Sequence, residues 1–292
     1  MPAGSHRFQV GTLCCTVLSD GYAAYPTSWF FPDADRVDLA RALHKRGLPQ
    51  EQVLSPYTCL LVETGRHVVL ADTGMGTASN TSGAVLARLE VAGIRRQDVD
   101  TVVFTHAHPD HIGGAIDLRD PRRPPPMFPN ARYVMFEAEW DFWTGARVDL
   151  RGLRVPGDVR ARMESTAKRC LFALRHQVEL IDREADIVPG VRAIPAPGHT
   201  PGHMALLLAS DGQRMLNLGD AAVHPLHLEQ PGWKNGFDLD PEQALGTRRA
   251  LLQRAVAEDM RVMVFHFPFP SVGRVSARSE GGWEWAPGAG EL

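Results

Sequence analysis

The sequence predicts an α/β fold that builds a polar site at the ends of its strands. Two observations carry this expectation: apolar strand-like runs are interleaved with longer segments of helical pattern, and four of the apolar runs end in a histidine or aspartate. Side chains gathered from several strand ends are how α/β folds make their sites. Length alone, 292 residues, would allow about two domains. The strand-end residues come from both halves and must converge, so one domain over residues 1–292 is expected.

In chain order, Phe8 to Leu18 and Tyr57 to Glu63 read as strands, and Thr64-Gly65-Arg66 turns the second into a hairpin with His67 to Ala71. Ser82 to Ala92 is helical, with Val85, Leu86, Leu89 and Val91 as its apolar positions, and leads to the buried strand Thr101-Val102-Val103-Phe104. Glu137 to Trp143, Val159 to His176 and Pro241 to Asp259 read as further helices. Val191 to Ile194, Met215 to Leu218 and Arg261 to Phe265 are the other ligand-bearing strands. Pro121 to Pro126 reads as a stiff surface connection.

The Thr101 strand runs into His106-Ala107-His108-Pro109-Asp110-His111. Three imidazoles and a carboxylate in six residues are costly to gather except around a metal. His106, His108 and Asp110 continue the strand's period of two and leave it on one side. Pro109 suits a first helical turn, Asp110 is favoured near a helix N-terminus, and Gly113-Gly114 let backbone pack closely behind. Two histidines on one side followed by a turned Asp-His pair serve two adjacent metals better than one. Structural zinc sites are usually rich in closely spaced cysteines, and this motif has none. Downstream, His199 lies in a Gly/Pro-punctuated loop after one strand, and Asp220 and His266 follow two others. Each alone also fits a hydrogen-bonded core residue or a cap; together they extend the constellation.

On these residues the chain resembles the metallo-β-lactamase superfamily in its dinuclear hydrolase form: HxHxDH, then His, then a bridging Asp, then a last His, with gaps of 21 and 46 residues. Val68 to Gly74 matches the superfamily's early strand and Asp-Thr-Gly turn. Residues 129–143 and 265–268 are most similar to the methyl parathion hydrolase and acyl-homoserine lactone lactonase group. The resemblance implies a four-layer αββα sandwich with the metal site at the edge between two mixed β-sheets. It further implies that His106, His108 and His199 hold a first metal and Asp110, His111 and His266 a second, with Asp220 bridging. Two divalent cations are expected, zinc first, with manganese, cobalt or iron as alternatives.

The function this implies is opening of acyl-homoserine lactones by a metal-bridging hydroxide, with phosphotriester or aryl ester hydrolysis as the alternative. An iron-dependent oxidoreductase of the persulfide dioxygenase type is the more distant reading, and β-lactam hydrolysis is disfavoured by the bridging Asp220. Asp110 is the candidate to orient the nucleophile and relay a proton. Thr105, Thr200 and His203 are candidates to fix ligand tautomers. Trp29, Phe30, Phe31, Trp140, Phe142, Trp143, Trp233, Phe267 and Phe269 are candidates for an apolar cleft around a small ester-like substrate. One lactonase pattern places a substrate-contacting Tyr three residues after the bridging Asp. Here that position is Val223, which leaves His224 as the candidate substitute.

A net charge of −3 and pI near 6.5 give no general phosphate-binding surface, so nucleic acid is not an expected partner. The N-terminus Met1 to His6 has no apolar core of signal-peptide length and no apolar stretch has membrane-spanning length, so the expectation is a soluble, cytoplasmic protein; a homodimer is left open. Cys14, Cys15, Cys59 and Cys170 form no CxxC and are expected as reduced, buried thiols.

Overall fold

The computed structural model describes residues 4–76, 80–119 and 122–288. Among these, the strands form two mixed sheets of seven. In spatial order the first holds β1 (Ser5–Val10), β2 (Leu13–Pro26), β3 (Gln52–Glu63), β4 (Val68–Ala71), β5 (Thr101–Val103), β6 (Arg132–Phe136) and β7 (Val178–Ile181). Its pairs are antiparallel up to β4 and parallel from β4 to β7. The second holds β8 (Ala185–Val188), β9 (Val191–Pro195), β10 (Met204–Ser210), β11 (Gln213–Asn217), β12 (Arg261–Met263), β13 (Val272–Ala277) and β14 (Trp283–Pro287). Only β11 and β12 are parallel there.

Strand alternation assigns each side chain to a layer. Val69, Val103 and Val134 point between the sheets, where they meet Leu206, Met215 and Met263. Their neighbours Leu70, Val102 and Tyr133 point outward, to α3 (Val85–Val91), α5 (Glu137–Thr144) and α6 (Gly157–Leu174). On the other side Leu207, Leu216 and Val262 pack with Leu228 of the short α7 (Leu226–Glu229) and under α8 (Pro241–Ala257). The order helix, sheet, sheet, helix is the four-layer sandwich expected. Strands buried on both faces carry continuous apolar runs, which is why β4, β5 and β6 read clearly in the sequence.

Two expectations are corrected. Phe8 to Leu18 is not one strand; Gly11, at φ +58°, turns the chain back and splits it into β1 and β2. β2 and β3 also run well beyond their expected ends, as a paired arm that continues past a bulge between Ser19 and Gly21. The inserted Asp20 accepts backbone N–H groups of Met75, Gly83 and Val85, which pins the bulge. The arm leads into α1 (Thr27–Phe30) and brings Tyr25 and Trp29 to the strand-end site. A further helix, α2 (Arg36–Lys45), was not foreseen; Asp35 caps it by accepting from the N–H groups of Val37 and Asp38. Pro121, which opens the expected stiff connection, lies outside the described residues. Among the described residues no helix is long and apolar enough to cross a membrane. All four cysteines are free; Cys15, Cys59 and Cys170 are buried and Cys14 is half-buried.

Candidate metal centre

β4 and β5 are parallel, as are β11 and β12, so the segments after them emerge at one end of the sandwich. After β5 the chain carries His106 and then His108, the latter in extended backbone, and turns into the short α4 (Pro109–Ile112), which carries Asp110 and His111. His199 enters from the β9–β10 loop, Asp220 follows β11 and His266 follows β12. All seven expected ligands come together. One ligand atom from each of His106, His108, His199 and Asp220 lies within 4.8 Å of the others, and Asp110, His111 and His266 form a second such group.

Asp220 stands between the two groups. Its Oδ2 lies 3.0 Å from His266 Nε2, 3.3 Å from His199 Nε2 and 3.9 Å from His106 Nε2, and its Oδ1 lies 3.4 Å from His111 Nε2. Asp110 Oδ2 is 3.5 Å from His266 Nε2. Backing groups decide what these nitrogens carry. His111 Nδ1 is 2.8 Å from Asp72 Oδ2, His199 Nδ1 is 2.8 Å from Asp238 Oδ1, and His266 Nδ1 is 3.0 Å from the Pro56 carbonyl. Carboxylate and carbonyl oxygens only accept, so Nδ1 holds the proton in all three and Nε2 carries a lone pair toward Asp220; that of His199 also meets His108 Nδ1 at 3.0 Å. Lone pairs of nitrogen and carboxylate oxygen repel unless a cation lies between them. Nε2 of His106, His108 and His111, and Oδ1 of Asp220, are buried without a hydrogen-bond partner. This donor set, nitrogen-rich with carboxylate and orphaned at its centre, fits a pair of divalent cations.

Electrostatics give the same picture. Burial, reinforced by neighbouring imidazoles, pushes His106 and His108 well below the usual histidine range, so they remain neutral ligands. Burial also opposes charge on His111 and His266, but the carboxylates around them, Asp220 first, outweigh it and raise both. The position that draws a proton there is the one a metal would take.

A second ring of residues braces the ligands. Asp72 sits at φ +60°, a costly backbone for a non-glycine residue, and from there accepts Thr105 N–H and Oγ1–H at 2.8 Å as well as His111. Thr105 thus braces the carboxylate that backs His111. Glu139 on α5 is fully buried and takes four donors: Ala107 N–H at 2.9 Å, Trp143 Nε1–H at 2.7 Å, Thr200 Oγ1–H at 2.6 Å and Gly202 N–H at 3.0 Å. It ties the His106–His108 segment to the His199 loop. His203 accepts Asp220 N–H at 2.9 Å through Nε2 and donates from Nδ1 to Ala196 O, so it holds the backbone of Asp220. Gly219 is required beside it, because a Cβ there would stand 2.7 Å from His203 Nε2. Arg248 of α8, also buried, donates to Ala221 O at 2.7 Å and lies 3.8 Å from Asp238. The roles of Asp72, Glu139, Asp238 and Arg248 were not read from the sequence. Asp72 belongs to the Asp-Thr-Gly turn after β4, which marked its place but not its role; the other three had no local pattern to mark them.

The sequence profile of the metallo-beta-lactamase superfamily matches residues 54–266, which contain all seven candidate ligands. The chain belongs to the metallo-β-lactamase superfamily. Among its relatives, the N-acyl homoserine lactonase of Bacillus sp is 26% identical over 240 residues, covering 75% of this chain and 84% of that protein. The N-acyl homoserine lactonase of Bacillus cereus is 24% identical over 259 residues, covering 81% and 92%. Among solved structures, AidC, a dizinc quorum-quenching lactonase in complex with a product, superposes with a TM-score of 0.91 at 26% identity over 98% of both chains. The hydrolase AbOPH of the beta lactamase superfamily superposes at 0.87, with 24% identity over 99% of both. This superfamily member is a metal-dependent hydrolase.

Above the ligands opens a cavity of about 660 Å³. His108, Asp110, His199, Asp220 and His266 form its floor; Tyr25, Trp29, Phe30 and Phe237 supply an aromatic wall, and α6 a facing wall with Met163, Thr166, Arg162 and Arg169. Of the aromatic residues expected in a cleft, Trp29 and Phe30 are there. Trp143 is wholly buried, edge-on to His108 and bonded to Glu139, and Trp140 and Phe142 pack with the same outer core. Phe31 packs against Trp233, Phe267 is core, and Phe269 is exposed. His224 is likewise corrected as the substitute for the absent tyrosine. Val223 lines the cavity, whereas His224 is turned into a buried apolar cluster, edge-on to Phe31 at 5.3 Å, with Nδ1 accepting Leu226 N–H at 3.1 Å.

Proposed function

We propose that the chain hydrolyses N-acyl homoserine lactones, with His106, His108 and His199 holding one divalent cation, Asp110, His111 and His266 a second, and Asp220 both. Zinc is the metal favoured by this nitrogen-rich set. The observation that carries the reading is the convergence of all seven candidate ligands at one place, five of them on the floor of a cavity with an aromatic wall. The lactonase relatives and the 0.91 superposition on AidC support the substrate class.

When bound, a pair of divalent cations supplies an activated water at neutral pH and polarises the ester carbonyl. The rest is done by the chain. Asp110 faces the cavity from the first turn of α4 and is placed to orient the attacking water and carry its proton to the ring oxygen as the ester opens. Thr105, Asp72, Asp238 and Glu139 keep the ligands in one tautomer and one place. Trp29, Phe30 and Phe237 take the acyl chain out of water.

One metal-loaded preparation assayed on acyl-homoserine lactones, aryl esters and an aryl phosphotriester, beside elemental analysis, tests the reading. Two metals per chain and the highest kcat/KM on lactones are expected. Preference for the phosphotriester by several orders of magnitude, or a single metal that stays single in excess zinc, would overturn it.

A further inference from the structure

We infer that Tyr25 is a catalytic hydrogen-bond donor to the substrate and that Tyr57 is the positioning residue that aims it. The inference rests on the ester-hydrolase reading above and adds a group that the ligand pattern does not contain.

Tyr25, at the end of the β2 arm, lines the cavity together with Asp110 and Asp220. Tyr57, on the adjacent β3 and paired with Gly21, is fully buried, with its ring edge-on to His266 at 5.7 Å. The two hydroxyl oxygens are 2.5 Å apart, and among the described residues neither has another hydrogen-bond partner. Two phenols bring two protons to one contact. Were Tyr25 the donor, the proton of Tyr57 would be stranded in the core with no second acceptor among the described residues, which is the costly arrangement. Tyr57 is therefore the donor. Tyr25 accepts, and its own proton is left to face the cavity. A hydroxyl that accepts a hydrogen bond becomes a stronger donor, so the pair is polarised in the direction that serves a substrate oxygen.

The ring of Tyr25 is also fixed. It packs on Trp29 at 6.0 Å, Phe30 at 5.8 Å and edge-on to Phe237 at 5.7 Å, so little freedom is lost when the hydroxyl engages a ligand. Competing hydroxyls are few. Among the described residues they are Ser55, which accepts from His266 Nδ1 at 2.8 Å, and Ser165 and Thr166 on α6; Val223 presents only an isopropyl group. A fixed neutral donor beside the ligand floor suits the oxygen that gains negative charge as the ester carbonyl is attacked. No proton transfer from Tyr25 is needed, since Asp110 carries the proton.

The test uses the metal-loaded full chain, Tyr25→Phe and Tyr57→Phe, with Thr166→Val as the comparison. Kinetics on the preferred ester are read together with metal content and the binding of two probes: a ring-amide analogue that mimics the ground state and a cyclic phosphonate that mimics the charged tetrahedral one. Tyr25→Phe should lower kcat about a hundredfold, the usual order for one lost donor, with KM within about threefold. Phosphonate affinity should fall in parallel while ring-amide affinity and metal content hold. Tyr57→Phe should lower kcat by about fivefold with KM unmoved, which loss of packing alone would not produce. A kcat for Tyr25→Phe within about twofold of the parent, or equal weakening of both probes, would overturn the inference. So would the larger kcat loss falling on Thr166→Val. A parent enzyme that opens no lactone would instead refute the lactone assignment, and Tyr25 is then decided on the ester that is cleaved or by the two probes alone.

Discussion

Replacing Glu139 by Gln should both destabilise the fold and loosen the metals, although Glu139 touches neither metal nor substrate. Oε1 accepts from Ala107 N–H and Trp143 Nε1–H, and Oε2 from Thr200 Oγ1–H and Gly202 N–H. Glutamine has one oxygen, so its amide nitrogen must face one of these donor pairs. Two hydrogen bonds to a charged acceptor are lost, at about 1.5–3 kcal/mol each. Burial raises the pKa of Glu139 against the pull of its four donors, so removing the charge returns part of that loss. The net expectation is about 2–4 kcal/mol. Either orientation of the amide frees one loop, the one with His106 and His108 or the one with His199. Metal affinity should therefore fall by about 10–100-fold, the usual cost of losing a group that orients ligands. Urea unfolding of the metal-free chain gives the first quantity and competition with a chelator the second. A variant destabilised by less than about 1 kcal/mol, with metal affinity unchanged, would refute the idea that this carboxylate couples the two loops.

Asp110→Asn should lower kcat on the preferred ester by about a hundredfold in samples shown to hold two metals, and near-parental turnover would remove Asp110 from proton transfer. Lactone kcat/KM should rise about fourfold per added acyl methylene until the cavity fills, from about 0.8 kcal/mol per buried methylene, and Trp29→Ala should flatten the rise in the same substrate series. His224 supplies a pH prediction: burial, with Arg46 nearby, holds it down at about 3, against 6.5 when unfolded. Below pH 6.5 the unfolded chain takes up a proton that the folded chain refuses, so stability falls toward pH 3 by about 1.4 kcal/mol per pH unit and is unaffected above 6.5. His224→Gln should reduce that acid slope in urea titrations by about one proton; an unchanged slope would show that His224 is not held neutral.

The clustering of the seven candidate ligands was legible because metal chemistry restricts residue type and the strands restrict position. His106, His108 and Asp110 had to follow β5, and an apolar run marks each other ligand strand. The long helices were legible for a similar reason: Pro241 and the periodic apolar positions behind it place α8 correctly at its start. The cavity was not legible. A tryptophan buried in a core and one lining a cleft give the same local pattern, so Trp143 and Trp29 differ only through tertiary contacts. The β2 arm escaped because Ala23-Ala24-Tyr25-Pro26 lacks clear alternation and pairs with a segment far along the chain, Gln52 to Ser55. Tyr25 could not be found by looking after Asp220, since it reaches the site from the opposite sheet. Glu139 and Asp238 are bound by the same limit: a buried carboxylate is recognised by the donors around it, which arrive from distant loops.

Charge explains why so many of these groups sit together. Asp72, Asp110, Glu139, Asp220 and Asp238 bring five carboxylates to one end of the sandwich, four of them buried, and Arg248 is the buried guanidinium beside them. With the imidazoles neutral, four negative charges remain, which is the charge two divalent cations cancel. Buried carboxylates without counter-charge are expensive, and hydrogen bonds from Thr105, Ala107, Thr200 and Gly202 offset only part of that cost. Under the proposed reading the cations complete the electrostatics of the fold as well as the chemistry of the site. Metal uptake and the ordering of the strand-end loops are then one coupled equilibrium, in which His111 and His266 exchange a proton for a metal. The arrangement that makes the site reactive is thus the one that makes the metal-free chain the less stable form.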